Sequence, residues 1–323
     1  MTTCLVLGAT GFIGGQIVRS ALARGWHVRA LRRTPNAVGA IGDLQPDWIN
    51  GTLNDRSALV NAMRGCKVVF HAAAAYPHGT QQIDRQVKAA VDQLQSVLSA
   101  AREAGIERLI YTSSFTTIGP ARDLSRGADE LDQYVPGTAG DAYYEAKWAM
   151  EVAALKSEVP TIALCPSAVF GPGDVHLSVS QIVVDTARGK MPVYFDATFG
   201  TIDVRDVAEA HLNAVERGRV GERYILSAHN LTLLEGLTIV AREAGVKPPR
   251  FKIGPRLLSV IIAAGRFLPG GQIGHLRTMR FWQPLNNTKA VNELGLTVRP
   301  MESTIHDALA WFRQRGVLAD VGT

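Results

Sequence analysis

The stretch "TCLVLGATGFIGGQIVRSALARG", residues 3–25, decides the fold of this chain. Its first residues form a continuous apolar run, which is typical of a strand buried in a parallel sheet. Its second half predicts a helix that ends at Gly25. Gly8, Gly11 and Gly14 form G-x-x-G-x-x-G between the two elements. Because such a turn lets a pyrophosphate approach the helix N-terminus, the stretch predicts dinucleotide binding, with a purely structural turn as the alternative.

The rest of the first half alternates short apolar runs with longer helical patterns. Strands are predicted at residues 27–33, 67–74, 107–114 and 161–169. Helices are predicted at residues 56–65, 81–105 and 141–158, and the longest keeps one apolar stripe. Strands and helices that alternate at this spacing predict an α/β fold with a doubly wound parallel sheet of the Rossmann type.

The alternation loosens after about residue 171, and the second half contains more predicted helices than strands. We predict a cofactor-binding Rossmann domain over residues 1–170, to which residues from about 202 to about 228 return. Residues 171–323 would then form a smaller, mostly helical lobe that binds substrate and is discontinuous in sequence.

Composition excludes several classes of protein. The 323 residues carry a net charge of +5, which is too small and scattered to indicate nucleic-acid binding. The three cysteines and eight histidines show no metal-ligand spacing, so we expect no metal site. An odd number of separated cysteines fits a reducing compartment, and the N-terminus does not resemble a signal peptide. We therefore expect a cytoplasmic protein.

The most apolar window is "LLSVIIAAGRF", residues 257–267. A span of a bilayer needs about 20 apolar residues, and Arg266 interrupts this run. We expect a helix buried in the protein. A wall of an apolar substrate site and a helix lying on a membrane surface remain as alternatives.

The end of the second predicted strand indicates which dinucleotide is bound. An NAD site usually carries Asp or Glu there to hold the ribose hydroxyls. This chain has Arg32 and Arg33 instead. A guanidinium binds a 2′-phosphate well, so the sequence predicts NADP(H) rather than NAD(H). A solvated strand end is the alternative for these arginines.

Tyr143 and Lys147 are i and i+4 on a predicted helix and so share one face. The ordinary pKa of tyrosine, about 10, is too high for efficient proton transfer at neutral pH, but a nearby ammonium favours the phenolate. "YTSS", which ends at Ser114, could place a hydroxyl at the sheet edge where such folds bind ligands.

Four motifs together resemble those of the extended short-chain dehydrogenase/reductase superfamily. They are the glycine turn, "HAAAA" from His71, "YTSS" and Tyr143-x-x-x-Lys147. The second half, with "PSAVFGPGD" and "IDVRDVAEAHLNAVERG", is similar to the dihydroflavonol-reductase-like branch, and most of all to bacterial proteins labelled hopanoid-associated sugar epimerases.

The resemblance implies roles for individual residues. Tyr143 would be the general acid/base, Lys147 would bind the nicotinamide ribose, and Ser114 would hold the substrate oxygen, with Ser113 as the alternative. Tyr144 would have no catalytic role. The residues implied to bind the cofactor, besides Tyr143, Lys147, Arg32 and Arg33, are Gly8, Thr10, Gly11, Phe12, Ile13, Gly14, Leu53, Ala72, Ala73, Pro166 and Phe170.

The chain departs from the branch at two places. Thr52 stands where the branch usually has an Asp that touches adenine. Gln86 and Ala89 replace an Asn that braces the active-site backbone and a Gly. Neither change removes a reacting group. The family also suggests a homodimer through a helix bundle that includes the Tyr143 helix.

We therefore expect an NADP(H)-dependent oxidoreductase that interconverts a carbonyl and a secondary alcohol. We expect a small substrate, and the apolar second half favours a hydrophobic one. A nucleotide-sugar epimerase or dehydratase that recycles its cofactor internally is the first alternative. A non-catalytic protein that senses NADP(H) is the second.

Overall fold

The computed structural model describes residues 1–73, 77, 79–123, 125–264 and 278–319. Within them a seven-stranded sheet has the order β10-β6-β5-β4-β1-β2-β3, and every pairing in it is parallel. Its strands are β1 Thr3–Leu7, β2 His27–Arg32, β3 Asp47–Asn50, β4 Val68–His71, β5 Arg108–Thr112, β6 Thr161–Pro166 and β10 Arg223–Leu226. The predicted doubly wound α/β fold is confirmed.

Helices cover both faces of this sheet. Helices α1 and α6 pack on one face, and α2, α3 and α4 pack on the other. Their bounds are α1 Phe12–Ala23, α2 Arg56–Met63, α3 Ile83–Ala104, α4 Ala142–Leu155 and α6 Val204–Arg217. Because both faces are covered, the strands read as nearly continuous apolar runs, and Leu5, Val6 and Leu7 have no exposed surface.

The order of the strands determines where ligands are bound. The chain runs outward from β1 through β2 to β3 and then crosses to β4 on the other side of β1. The connections therefore diverge between β1 and β4 and leave a crevice at the carboxyl ends of these strands, where such sheets bind their ligands. The glycine turn follows β1 and borders this crevice.

The C-terminal region contains helices and two small sheets that the sequence analysis did not predict. A three-stranded sheet joins β7 Ala168–Phe170, β9 Thr198–Asp203 and β11 His229–Thr232, and a two-stranded one joins β8 Val193–Tyr194 and β12 Phe251–Lys252. The helices are α5 Gln181–Ala187, α7 Leu233–Ala244, α8 Pro255–Ala264 and α9 Met301–Gln314. The strand predicted at 161–169 is two strands, because the chain leaves the large sheet after Pro166 and joins the small one.

The expectation of a buried helix at Leu257 is wrong for the part that the structure describes. Helix α8 forms, but no residue from Pro255 to Ile262 is buried, and the side chains of Leu257 and Val260 are 57% and 63% exposed. The end of the window, from 265 to 267, lies outside the described residues. Among the described helices, none has the length and apolarity needed to cross a bilayer.

Candidate functional site

The glycine turn brings three stretches of backbone into close contact. Gly8 has a positive φ of 87°, and a Cβ there would lie 2.7 Å from the backbone nitrogen of Ala73. A Cβ on Gly14 would lie 2.1 Å from the carbonyl oxygen of Gly8. Only glycine fits at these two positions. Ala72 and Ala73 therefore pass directly beside the turn that follows β1.

Helix α1 begins at this turn without a side-chain cap. Gly11 is its N-cap, and no acidic residue lies in the first turn, which contains Phe12 and Ile13. The first N–H groups of a helix have no intrahelical acceptor, and together with the helix dipole they favour an anion. The turn can therefore accept a pyrophosphate at the carboxyl edge of the sheet. Thr10 lies in the same turn, and its carbonyl oxygen is close to Gly39.

Arg32 is the last residue of β2 and is held in place by β3. Its Nε donates a hydrogen bond of 2.8 Å to Asn50 Oδ1, and its guanidinium carbon lies 5.0 Å from the centre of the Trp48 ring. Register explains the contact, since Arg32 pairs with Asn50 across the parallel ladder. Arg33 is exposed. The guanidinium of Arg32 is thus oriented, and its remaining N–H groups are available to a ligand.

The local sequence positions Tyr143 at the start of α4. Asp141 is the N-cap of this helix, and its carboxylate accepts a hydrogen bond of 3.0 Å from the Tyr143 backbone N–H. One turn later, Lys147 is buried and its Nζ donates a hydrogen bond of 3.2 Å to the carbonyl oxygen of Thr112, at the end of β5. The Nζ lies 5.9 Å from the centre of the Tyr143 ring. Burial lowers the pKa of Lys147 to about 8.

Ser114 lies two residues beyond Thr112, where β5 gives way to a short 3₁₀ helix, Phe115–Thr117. Its Oγ accepts a hydrogen bond of 3.2 Å from the backbone N–H of Thr116. The hydroxyl proton of Ser114 can therefore be donated elsewhere. Ser113, the alternative candidate, donates a hydrogen bond from its hydroxyl group to the carboxylate of Glu151 inside the protein. This contact favours Ser114 as the residue that meets a substrate.

A buried ion pair lies behind these groups. Glu151 is one turn after Lys147 on α4, and its Oε1 lies 3.0 Å from Nη2 of Arg223 on β10. The other oxygen, Oε2, lies 2.8 Å from Thr117 Oγ1 and accepts a hydrogen bond of 3.3 Å from Cys165. Burial, reinforced by the Glu151 charge, raises the pKa of Cys165 to about 12, so it remains a thiol. The pair connects α4 to the turn that carries Ser114.

His71, the last residue of β4, is buried against the same region. Its ring meets the Tyr111 ring edge-on at 5.7 Å between centroids. Among the described residues, neither ring nitrogen has a hydrogen-bond partner. Burial, reinforced by the charge of Lys147, lowers the pKa of His71 to about 3, so the ring is neutral at physiological pH.

The remaining residues predicted for the cofactor lie at the same edge of the sheets. Leu53 follows β3 and packs against the apolar core beside α2. Pro166 ends β6, and Phe170 ends β7. The residues predicted for catalysis and those predicted for the cofactor therefore lie near the carboxyl ends of the strands, the edge at which the crevice between β1 and β4 opens.

A family model agrees with this arrangement. The model described as "NAD dependent epimerase/dehydratase family" matches residues 4–227, which include the glycine turn, Ser114, Tyr143 and Lys147. The chain belongs to this family. Relatives with assigned names include reductases, dehydrogenases and an epimerase, so the protein is an enzyme of the extended short-chain dehydrogenase/reductase type, a class that binds a nicotinamide cofactor.

Two curated relatives and one solved structure are similar over nearly the whole chain. The sterol demethylase protein B of Methylococcus capsulatus is 30% identical over 98% of this chain and 100% of its own length. The dihydroflavonol 4-reductase of Zea mays is 26% identical over 98% and 90%. A nucleoside-diphosphate-sugar epimerase from Pseudomonas aeruginosa is 25% identical, covers 98% of each chain and superimposes with a TM-score of 0.85.

Departures of this epimerase/dehydratase family member from the usual motifs have visible consequences. Thr52 is exposed, and its carbonyl oxygen accepts a hydrogen bond from the backbone of Asp55. Gln86, at the start of α3, donates a hydrogen bond of 2.7 Å to the carbonyl oxygen of Gln81. Gln86 thus supports the backbone that leads into α3.

Tyr144 packs among aromatic side chains. It is buried, with ring centroids 5.9 Å from Tyr134 and 5.5 Å from Phe281. Burial raises its pKa well above the ordinary value of tyrosine. Tyr144 is therefore suited to packing and unsuited to proton transfer.

The residues that support the site were not predicted from the sequence. Glu151 could have been found, since it continues the i, i+4 stripe of Tyr143 and Lys147. Arg223 gave no signal, because it is distant in sequence and ends up beside Glu151 only when β10 joins the sheet. The described residues contain no group of His, Cys, Asp and Glu side chains that could hold a metal ion.

Proposed function

We propose that the protein is an NADP(H)-dependent reductase that interconverts a carbonyl and a secondary alcohol. The observation that carries this proposal is the position of Tyr143 and Lys147 at the end of β5, at the same sheet edge as the glycine turn. The crevice between them suits a substrate oxygen on one side and a dinucleotide on the other.

The residues present fit a nicotinamide dinucleotide. The close approach of Gly8, Gly14 and Ala73 leaves no space for a Cβ at either glycine, so the turn keeps the tight shape that lets a backbone approach a pyrophosphate. Thr10, Gly11, Phe12 and Ile13 would surround it with backbone N–H groups. Leu53, Ala72, Pro166 and Phe170 would line the remaining path at the strand ends, and Lys147 would bind the nicotinamide ribose. When bound, the cofactor supplies the hydride.

The preference for NADP(H) over NAD(H) would come from Arg32, with Arg33 beside it. The contacts of Arg32 with Asn50 and Trp48 fix its orientation before any ligand binds. A 2′-phosphate would then gain charge-assisted hydrogen bonds without ordering a flexible side chain.

Three side chains of the protein would manage the proton. The phenol of Tyr143 would give its proton to the substrate oxygen in reduction and take it back in oxidation. The Lys147 ammonium favours the phenolate electrostatically, while its bond to Thr112 keeps it in place. Ser114, whose Oγ already accepts a hydrogen bond from the Thr116 N–H, would donate a hydrogen bond to the same substrate oxygen and keep its own proton.

A hydrophobic substrate is supported by the aromatic surroundings. Trp282 packs on Phe199 at 5.2 Å between ring centroids, and Phe281 packs on Tyr144. These residues extend from the sheet edge into the C-terminal region, which we propose as the substrate lobe, with residues from about 202 to about 228 belonging to the Rossmann domain. The name of the Methylococcus relative, sterol demethylase protein B, refers to a hydrophobic substrate and supports the same proposal.

An epimerase or dehydratase is the second candidate, favoured by the similarity to the Pseudomonas epimerase. Both reactions would use Tyr143 and Lys147 in the same way. Of the two candidates, only the reductase consumes cofactor. The test therefore follows NADPH absorbance with a panel of ketones and aldehydes and, separately, analyses nucleotide sugars for isomerised products. Product without net oxidation of NADPH would replace the reductase proposal with the epimerase one.

A further inference from the structure

Helix α8, Pro255–Ala264, is apolar and yet exposed. Leu257, Val260 and Ile261 lie on one face at i, i+3 and i+4, and the first two are more than half exposed. A helix that is apolar on all sides is normally buried in a core or a bilayer. With ten residues, α8 is too short to span a bilayer, which takes about 20.

The sequence on both sides of α8 contains charged residues of one sign only. Residues 244–292 contain eight Lys and Arg and no Asp or Glu, whereas the whole chain has 34 basic and 29 acidic residues. The other 274 residues therefore carry a net charge of −3. The part of this stretch next to α8 forms what we call the basic apolar patch: Lys247, Arg250, Phe251, Arg256, Leu257 and Val260.

The side chains of this patch are directed to solvent. All six residues are exposed, and Phe251 is 67% exposed. Lys247, Arg250 and Arg256 form no ion pair with any described residue. The neighbouring Lys252 pairs with Asp196 at 2.8 Å, so its charge is partly neutralised.

We propose that the basic apolar patch docks on the surface of a bilayer that contains anionic phospholipids. Leu257, Val260 and Phe251 would enter the boundary between headgroups and acyl chains, while the arginines and Lys247 would bind the lipid phosphates. Nucleic acid would satisfy the charges but leave the apolar side chains exposed. A second copy of the chain would bring the same positive charges together.

The test is co-sedimentation with vesicles of phosphatidylcholine, with and without phosphatidylglycerol. The wild-type protein should bind the vesicles that contain phosphatidylglycerol, and binding should weaken as salt is raised. Replacing Arg256→Gln should weaken partitioning roughly fivefold, the effect of one basic residue near an anionic surface. Leu257→Glu with Val260→Glu should reduce it by more than about tenfold for each side chain.

The matched control is Leu131→Glu, which introduces the same charge at a leucine that is 71% exposed outside the patch. It should bind vesicles like the wild type, and circular dichroism should show that every variant is folded. The proposal is overturned if the wild type ignores phosphatidylglycerol, or if Leu257→Glu with Val260→Glu binds normally. It is also overturned if these changes only convert a dimer to a monomer, or if the patch binds single-stranded RNA regardless of them.

Discussion

The Lys147 ammonium lies 5.9 Å from the centre of the Tyr143 ring, one turn away on α4, while it donates a hydrogen bond to Thr112 on β5. The cation is therefore fixed between helix and sheet, and it does not depend on a ligand for its position. A charge held in this way favours ionisation of the neighbouring phenol, which is what proton transfer at neutral pH requires.

Replacing Tyr143→Phe should remove the proton donor and leave the fold unchanged. We expect kcat for NADPH-dependent reduction to fall by about 10²–10⁴-fold, the usual contribution of a general acid. Binding of NADP(H), followed by fluorescence titration, should persist. Tyr144→Phe is the matched control, since that phenol is buried among aromatic rings, and it should keep nearly full turnover. Full activity of Tyr143→Phe would refute the assignment.

Replacing Arg32→Ala should change the cofactor preference. Loss of charge-assisted hydrogen bonds costs about 1.5–3 kcal/mol, so the Kd for NADP(H) should rise by about ten- to a hundredfold while that for NAD(H) stays the same. Calorimetric titration of both cofactors measures this. Arg19→Ala, which removes an arginine paired with Asp43, is the control. If both affinities fall together, Arg32 serves the strand end and not the 2′-phosphate.

Replacing Glu151→Gln should destabilise the protein, because it leaves the buried Arg223 without its counter-ion. Breaking one side of a buried pair costs about 3–5 kcal/mol, which urea unfolding can measure. Glu158→Gln breaks the exposed pair with Arg102 and should cost about 0–1 kcal/mol. The double variant Glu151→Gln with Arg223→Met should lose less free energy of unfolding than the two single variants lose in sum. A strictly additive result would show that the two side chains are not coupled.

His71 should make the protein less stable in mild acid. Its pKa is about 3 in the folded protein and ordinarily 6.5, so the unfolded chain binds more protons between these values and stability is lost as pH falls below 6.5. From about pH 7 to about pH 5 the loss is about 2 kcal/mol for this group. His71→Leu should remove that part of the pH dependence, whereas His176→Leu, an exposed position, should not. Protonation of the carboxylates whose pKa values are lowered, such as Asp203, reduces the stability of the protein only at lower pH.

Replacing Gly14→Ala should abolish cofactor binding, because the new Cβ would lie 2.1 Å from the Gly8 carbonyl oxygen and the turn would have to move. Gly236→Ala is the control. This glycine lies inside α7, where the nearest atom to a Cβ is 3.6 Å away, so the change should stabilise the helix by about 0.5–1 kcal/mol. Normal NADP(H) titration of Gly14→Ala would contradict the proposed pyrophosphate site.

Most strands of the large sheet could be predicted from the sequence, and so could the glycine turn and the helix of Tyr143 and Lys147 that border the crevice. Those predictions rest on local signals: an apolar run for β1, glycines at the turn, and the i, i+4 spacing of Tyr143 and Lys147. They succeed because a buried parallel strand and a glycine turn each leave a direct trace in a few adjacent residues.

Other features depend on contacts between distant segments and left no such trace. The hydrogen bond from Arg32 to Asn50 depends on the register of β2 with β3, which places the two residues opposite each other. The exposure of Leu257 depends on what packs beside α8, and apolar composition alone favoured burial. The split between β6 and β7 follows from a change of sheet at Ser167, which the apolar run does not reveal.

The contact between Arg223 and Thr117 joins residues 106 positions apart in the chain. During synthesis, Tyr143 and Lys147 leave the ribosome well before the guanidinium that braces the turn next to them. A nascent chain at that stage would contain the two side chains that we propose to react, without the contact that braces the neighbouring turn. If our assignment is correct, catalysis would begin only when β10 has joined the sheet, so shortened chains that end before Arg223 should be inactive although they contain Tyr143 and Lys147.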